Sequence, residues 1–95
     1  MWILQGSGKH SETTFRLQAG GIKTVGRAPR ADFIVDAALV SRLHCRLEAG
    51  TEGVDVIDLS STNGTYVNGK RVDRARLSSG DRLRVGRVEM TVEHS

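Results

Sequence analysis

The sequence predicts an all-β sandwich. Apolar and polar residues alternate in short runs, turn signals recur between those runs at sandwich spacing, and no stretch of helical length shows a 3.6-residue apolar period. Eleven glycines against one proline fit many tight turns and not a flexible linker.

The elements follow in order. Trp2 and Leu4 flank Ile3 in the first run, which Gly6-Ser7-Gly8 breaks. Thr14-Phe15-Arg16-Leu17 alternates next and ends at Gly20-Gly21, and Ile22-Lys23-Thr24-Val25 then leads into Gly26-Arg27. Phe33-Ile34-Val35 reads as a short buried run. Cys45 and Leu47 alternate with His44, Arg46 and Glu48. Val54-Asp55-Val56-Ile57-Asp58-Leu59 changes phase midway, as a bulge or a two-sided strand does. Tyr66-Val67 and Lys70-Arg71-Val72 flank Asn68-Gly69, a pair that tolerates the positive φ angles of a two-residue hairpin turn. Leu83 and Val85 alternate with Arg82 and Arg84, and Val88, Met90 and Val92 alternate with Glu89, Thr91 and Glu93.

Ninety-five residues are expected to form one domain over 1–95, with no internal repeat, low-complexity stretch or linker. Apolar residues make up 38% of the chain, with ten valines leading, which excludes a disordered tail. The net charge of +3 suits nucleic acid, an acidic membrane or an acidic peptide, so its sign alone chooses nothing. Cys45 is the only cysteine, which rules out an intramolecular disulfide and fits a reducing compartment. Met1-Trp2-Ile3-Leu4-Gln5 turns polar too early for a signal peptide, and no apolar run is long enough to span a bilayer. An intracellular protein with no membrane partner is expected. The glycosylation sequon Asn63-Gly64-Thr65 would be idle in such a place.

Some signals imitate chemistry. Gly6-Ser7-Gly8-Lys9-His10-Ser11 resembles a nucleotide-binding loop, but His10 stands where Ser or Thr must follow the lysine, and Ile3 stands where the first glycine belongs. It reads as an exposed loop. The three histidines and one cysteine have no metal-ligand spacing, so no metal and no cofactor are expected. Ser41 and His44 could be imagined as nucleophile and base, but there is no Gly-x-Ser-x-Gly elbow, and no catalytic residue is assigned.

Three loop segments remain: Gly26-Arg27, Ser41-Arg42-Leu43-His44, and Ser61-Thr62-Asn63-Gly64 running into Val67-Asn68-Gly69. Together they offer what a phosphorylated residue needs. Arg27 carries a planar fork of donors suited to oxyanions, and Arg42 adds a second cation. Ser41 and Thr62 supply short hydroxyl donors. Asn63 both donates and accepts, so it can hold a ligand main chain. Gly26 and Gly64 permit sharp turns and close backbone approach. His44 is read as structural, its ring bonding loop backbone and fixing Ser41, and Asn68-Gly69 is read as a turn. Each part also has a plainer reading: a solvated arginine at a strand end, a self-stabilised serine turn, an Asn-Gly hairpin. Joint occurrence in this order is much rarer by accident than any one part.

The ordered set Gly26-Arg27, Ser41-Arg42-Leu43-His44, Thr62-Asn63-Gly64 and Val67-Asn68-Gly69 resembles the forkhead-associated (FHA) family, and the stretch from Leu77 to Gly86 resembles that family's closing strands. The resemblance implies an FHA-type β-sandwich of two twisted, mainly antiparallel sheets with about eleven strands, whose loops at one end bind phosphothreonine peptides. It implies phosphate contacts from Arg27, Ser41 and Thr62, assistance from Arg42, and a peptide-backbone contact from Asn63. Gly26, His44, Gly64, Asn68 and Gly69 would shape the loops. The opening Met1-Trp2 and the interval from Gly26-Arg27 to Ser41-Arg42 also resemble the start of nibrin-type DNA-repair proteins. That implies a nuclear protein recruiting a DNA-damage complex; a bacterial signalling protein, in the cytoplasm, is the other expectation.

Two further classes fit the residues. A nucleic-acid-binding β domain suits the basic balance, but only Trp2, Phe15, Phe33 and Tyr66 could stack on bases and most read as core, so nucleic acid is not the expected partner. A scaffold or dimerisation domain without phosphopeptide binding is the other; the sequence carries no signal for oligomeric state.

Overall fold

Side chains on a strand alternate between faces, so each run turns every second residue inward. In the computed structural model, which describes residues 1–95, these runs form eleven strands in two sheets packed face to face. The strands are β1 (Trp2–Gly6), β2 (Thr14–Leu17), β3 (Ile22–Gly26), β4 (Phe33–Ile34), β5 (Cys45–Ala49), β6 (Val54–Asp58), β7 (Thr65–Val67), β8 (Lys70–Val72), β9 (Arg74–Leu77), β10 (Arg82–Val85) and β11 (Val88–His94). One sheet runs β2-β1-β11-β10-β7-β8 and the other β4-β3-β5-β6-β9. Only the short β3–β4 pair is parallel.

The core is a cluster of 17 buried residues drawn from both inner faces, among them Leu4, Leu83 and Met90 from the first sheet and Val25, Leu47 and Val56 from the second. Fully burying one such side chain contributes about 1.5–3 kcal/mol. Phe15 on edge strand β2 stacks on Phe33 of edge strand β4, with ring centroids 4.5 Å apart, and so closes one side of the sandwich.

The hairpin over Asn68-Gly69 forms as the sequence predicts: Val67 pairs with Lys70, and φ is 51° at Asn68 and 84° at Gly69. Three local readings change. Phe33-Ile34-Val35 is not a continuous buried run, since Ile34 is 49% exposed on a two-residue strand. The phase change after Val56 is neither a bulge nor a second buried face; Ile57, Asp58 and Leu59 are half-buried where β6 ends and its chain leaves the sheet. Asn63-Gly64 is not a hairpin turn, because it joins β6 to β7 in the opposite sheet. The imitation nucleotide-binding loop is a single 3₁₀ turn over Gly8–His10 with no buried residue. No helix is long and apolar enough to cross a membrane.

Candidate functional site

Three connections meet at one end of the sandwich: residues 27–32 between β3 and β4, residues 35–44 between β4 and β5, and residues 59–64 between β6 and β7. Backbone bonds zip the first two together. The Arg27 N–H donates to the Ser41 carbonyl (3.0 Å) and the Ala28 N–H to the Arg42 carbonyl (3.1 Å). Gly26 makes this approach possible, because a Cβ there would overlap the Arg42 carbonyl oxygen.

His44 joins the second loop to the third. Its ring is fully buried; Nδ1 accepts the Ser41 N–H at 3.0 Å, and Nε2 lies 2.8 Å from the Gly64 carbonyl. The bond to Nδ1 leaves the ring proton on Nε2, which donates to Gly64. No ring nitrogen is therefore free to take a proton from the Ser41 hydroxyl, and the pair has no nucleophile–base geometry. The Leu59 N–H adds a further tie to the His44 carbonyl (3.0 Å).

Arg27, Ser41, Thr62 and Asn63 line one shallow cavity of about 420 Å³, with Ala38, Leu39 and Val40 forming its apolar side. Arg27, Ser41 and Asn63 are each held by one side-chain contact and keep another group free. The Arg27 Nε–H donates to the Val40 carbonyl at 3.0 Å, which fixes the guanidinium and leaves both terminal amino groups uncommitted. The Ser41 hydroxyl oxygen accepts the Thr62 N–H at 3.1 Å, so its own proton remains to be donated. Asn63 Nδ2 donates to the Leu39 carbonyl at 3.1 Å, leaving Oδ1 as an acceptor. No carboxylate lines the cavity, so the Arg27 charge is unneutralised there. No cluster of His, Cys, Asp and Glu side chains could hold a metal ion.

Arg42 stands apart from this group. It lines a neighbouring groove with Ala28, Pro29, Arg30 and Leu43, not the cavity that holds Arg27. Asn68 and Gly69 also lie outside the cavity, where Asn68 ties its hairpin to Asp81 and to the backbone N–H of Arg82.

Two contributors escaped the sequence reading. The Asp58 carboxylate accepts from the Ser61 hydroxyl, the Ser61 N–H (3.1 Å) and the Thr65 hydroxyl (2.7 Å), and Ser61 in turn accepts the Gly64 N–H (3.0 Å). Burial pushes this carboxyl upward, but the bonds from the Ser61 and Thr65 side chains and the Ser61 N–H outweigh it and hold the group below its ordinary pKa. The Asp58-x-x-Ser61 spacing is a local side-chain-to-backbone turn signal that could have been found. Arg71 packs against Gly64, whose φ of 90° and missing Cβ make room for the guanidinium. That contact has no signature in the sequence.

Aromatic side chains offer no row of bases a stacking surface here. Trp2 is buried, Phe15 and Phe33 cover each other, and Tyr66 lies under Arg84 at 4.0 Å.

The family model for the FHA domain matches residues 23–86. The chain belongs to the FHA family. The glycogen accumulation regulator GarA of Mycobacterium tuberculosis is 38% identical over 69 residues, which cover 73% of this chain and 43% of that protein. The chain thus spans less than half the length of that curated relative. Among solved structures, the FHA domain of the CT664 protein from Chlamydia trachomatis superposes with a TM-score of 0.91 at 26% identity, covering 99% of this chain and 97% of that one. An FHA domain solved for the structural and functional analysis of phosphothreonine-dependent FHA domain interactions gives a TM-score of 0.89 at 32% identity, over 99% of this chain and 96% of that one. Its curated relatives include GarA regulators of mycobacteria, an oxoglutarate dehydrogenase inhibitor of Corynebacterium diphtheriae and an ABC transporter ATP-binding/permease protein of Mycobacterium tuberculosis, and these are not nibrin-type proteins. The nibrin-type affiliation, with its nuclear location and DNA-damage role, finds no support.

Proposed function

We propose that this FHA domain is a phosphothreonine-dependent binding module that engages a phosphorylated protein or peptide through the Arg27–Ser41–Thr62–Asn63 cup and performs no catalysis. The observation that carries this reading is the convergence of a fixed, uncommitted guanidinium with two hydroxyls from three separate loops. A phosphothreonine carries nearly two negative charges and three acceptor oxygens, which match those donors. Arg27 takes two oxygens in a forked contact, and Ser41 and Thr62 donate to the remainder. Asn63 Oδ1 accepts a peptide N–H beside the phosphorylated residue.

Bonds to charged groups contribute about 1.5–3 kcal/mol each, and ordering a flexible peptide offsets part of that. The expected affinity is micromolar, near 8 kcal/mol. The wall of Ala38, Leu39 and Val40 gives the threonine methyl a place to lie. One buried methyl is worth about 0.8 kcal/mol, so phosphoserine should bind about fourfold more weakly.

The domain reading covers 1–95, since both chain ends supply strands. An intracellular site of action fits, because kinases supply the ligand there and the lone thiol, Cys45, is buried. Calorimetric titration with one peptide in phosphothreonine, phosphoserine and unmodified forms tests the proposal. Micromolar binding of the first and none of the last is expected; equal binding of phosphorylated and unmodified forms overturns it.

A further inference from the structure

The end of the sandwich away from the cup holds a cavity of its own. It measures about 400 Å³ and lies where the turn from β2 to β3 meets the start of β1. Arg16, Gln18 and Lys23 supply its polar side chains, Met1 and Ala19 its apolar wall, and no carboxylate lines it. Strand β3 runs from this cavity to the cup, and the chain from Lys23 to Arg27 spans about 13 Å at the usual rise of a strand.

Lys23 stands in an unusual place for a lysine. Residues paired across antiparallel strands share a face, and Lys23 pairs with Leu47, a fully buried core residue. Lys23 is therefore on the inner face of the second sheet, half-buried, two residues before the buried Val25. The sandwich is open at this point, because β4 pairs with β3 only at Val25 and Gly26 and leaves β3 as an edge at Lys23. The Lys23 ammonium makes no hydrogen bond and no ion pair, and neither do the side chains of Arg16 and Gln18. Asp32, which feels the Lys23 charge, is committed to the N–H and hydroxyl of Thr24. The turn that carries these donors is fixed. The Gly21 N–H donates to the Gln18 carbonyl (2.9 Å), and Gly20 N–H and the Gly21 carbonyl bond the backbone of Ala49 on β5 at 2.8 and 2.9 Å. An ammonium drawn partly out of water with no counter-charge is costly, and a bound anion relieves that cost.

We infer that this cavity binds a phosphoryl group, presented as a small phosphate monoester or as inorganic phosphate. One phosphoryl group carries nearly two negative charges, which two cations balance, whereas a carboxylate carries one. Arg16 offers a forked contact, Lys23 a point charge and Gln18 an amide donor. The volume is that of a small-molecule site. The site does not depend on the cup, and both can be filled at once.

Amide-resolved NMR titration of the 95-residue chain tests it, with glycerol 3-phosphate, inorganic phosphate, citrate and sodium chloride at matched ionic strength. Saturable shifts at Gln18, Gly21 and Lys23 are expected with a phosphate ligand, at a dissociation constant of about millimolar, the range for a few partly exposed charge-assisted bonds. Shifts at Arg27, Ser41 and Thr62 report the cup separately in the same spectra. Lys23→Met keeps the side-chain stem and removes the charge; it should weaken binding at the cavity about tenfold or more, as should Arg16→Gln, while Arg27→Ala should leave it unchanged. A thermal melt checks that Lys23→Met is folded, and Arg16→Gln, on an exposed side chain, decides should it unfold. A stronger response to glycerol 3-phosphate identifies a monoester site and an equal or stronger response to inorganic phosphate a phosphate site; either supports the inference. Equal shifts from citrate or sodium chloride, shifts that survive both substitutions, or shifts confined to the cup residues overturn it.

Discussion

Arg27, the phosphate contact proposed above, carries a charge that contributes little to the fold. Its side chain is exposed and its single bond, to the Val40 carbonyl, lies at the surface of the loops. Arg27→Ala is expected to weaken phosphopeptide binding by about tenfold or more, the loss of one or two charge-assisted bonds, with an unchanged melting temperature. Calorimetry beside a thermal melt checks both halves, and unaltered affinity removes the residue from the site. His44 behaves in the opposite way. Its removal leaves the Ser41 N–H and the Gly64 carbonyl without partners and opens a hole where a fully buried ring sat. His44→Ala should destabilise the domain by about 2–4 kcal/mol in a urea titration, and binding should fall because Ser41 loses its anchor. A variant of full stability would show that the ring does not hold the loops. At this scale the sequence was informative where a residue acts through its own neighbours. Ser41 and His44 are three residues apart, so their coupling could be anticipated. The Arg27 bond to Val40 spans thirteen positions and its Nε–H commitment is visible only in three dimensions. Arg42 was expected from its place in the motif to assist at the phosphate, and its side chain lines the groove beside the cup.

At the scale of loops and strands, close backbone contact decides the geometry. Gly26→Ala puts a methyl group into the Arg42 carbonyl and must part the first two loops. The expected cost is about 2 kcal/mol or more, with binding lost beyond what stability explains; a thermal melt and a titration at a temperature where the variant is folded separate the two effects. The third loop is organised by Asp58, and this has a pH signature. The folded carboxyl titrates below its ordinary value, so its contribution is complete above the unfolded pKa of about 4 and is lost as pH falls through the lower folded value. Asp58→Asn should flatten, without abolishing, the acid loss of stability, because Asp32 and Asp55 are also held low by their hydrogen bonds. Urea melts between about pH 2 and 6 on both proteins measure this, and identical slopes would exclude Asp58. Strands with clean alternation, such as Val88, Met90 and Val92, were legible because burial follows the pleat. Strand β9 was not: only Ala75 and Leu77 turn inward, and Arg74 and Arg76 pair with Asp55 on the outside, so the segment reads as polar chain.

The whole molecule is closed by its two ends. β1 lies between β2 and β11, pairing Leu4 with Phe15 on one side and with Val92 on the other. The family match over 23–86 begins after β1 and β2 and stops before β11. Those three strands supply six of the seventeen core residues: Trp2, Leu4, Leu17, Val88, Met90 and Val92. Without them β10 would lose one of its two neighbours, and the buried face of the second sheet would be left open to water. Loss of six fully buried apolar side chains, at about 1.5–3 kcal/mol each, matches or exceeds the 5–15 kcal/mol by which a domain is usually stable. A fragment of residues 23–86 is therefore expected to show no cooperative thermal transition and no phosphopeptide binding, although it retains Arg27, Ser41, Thr62 and Asn63. Circular dichroism melts and anisotropy on the fragment and on the full 95 residues test this. A fragment that melts cooperatively and binds would show that the loops hold their cup without the strands at the chain ends. The expected result instead makes the site a property of the closed sandwich: the donors come from three loops, but the sheets fix the distance between them.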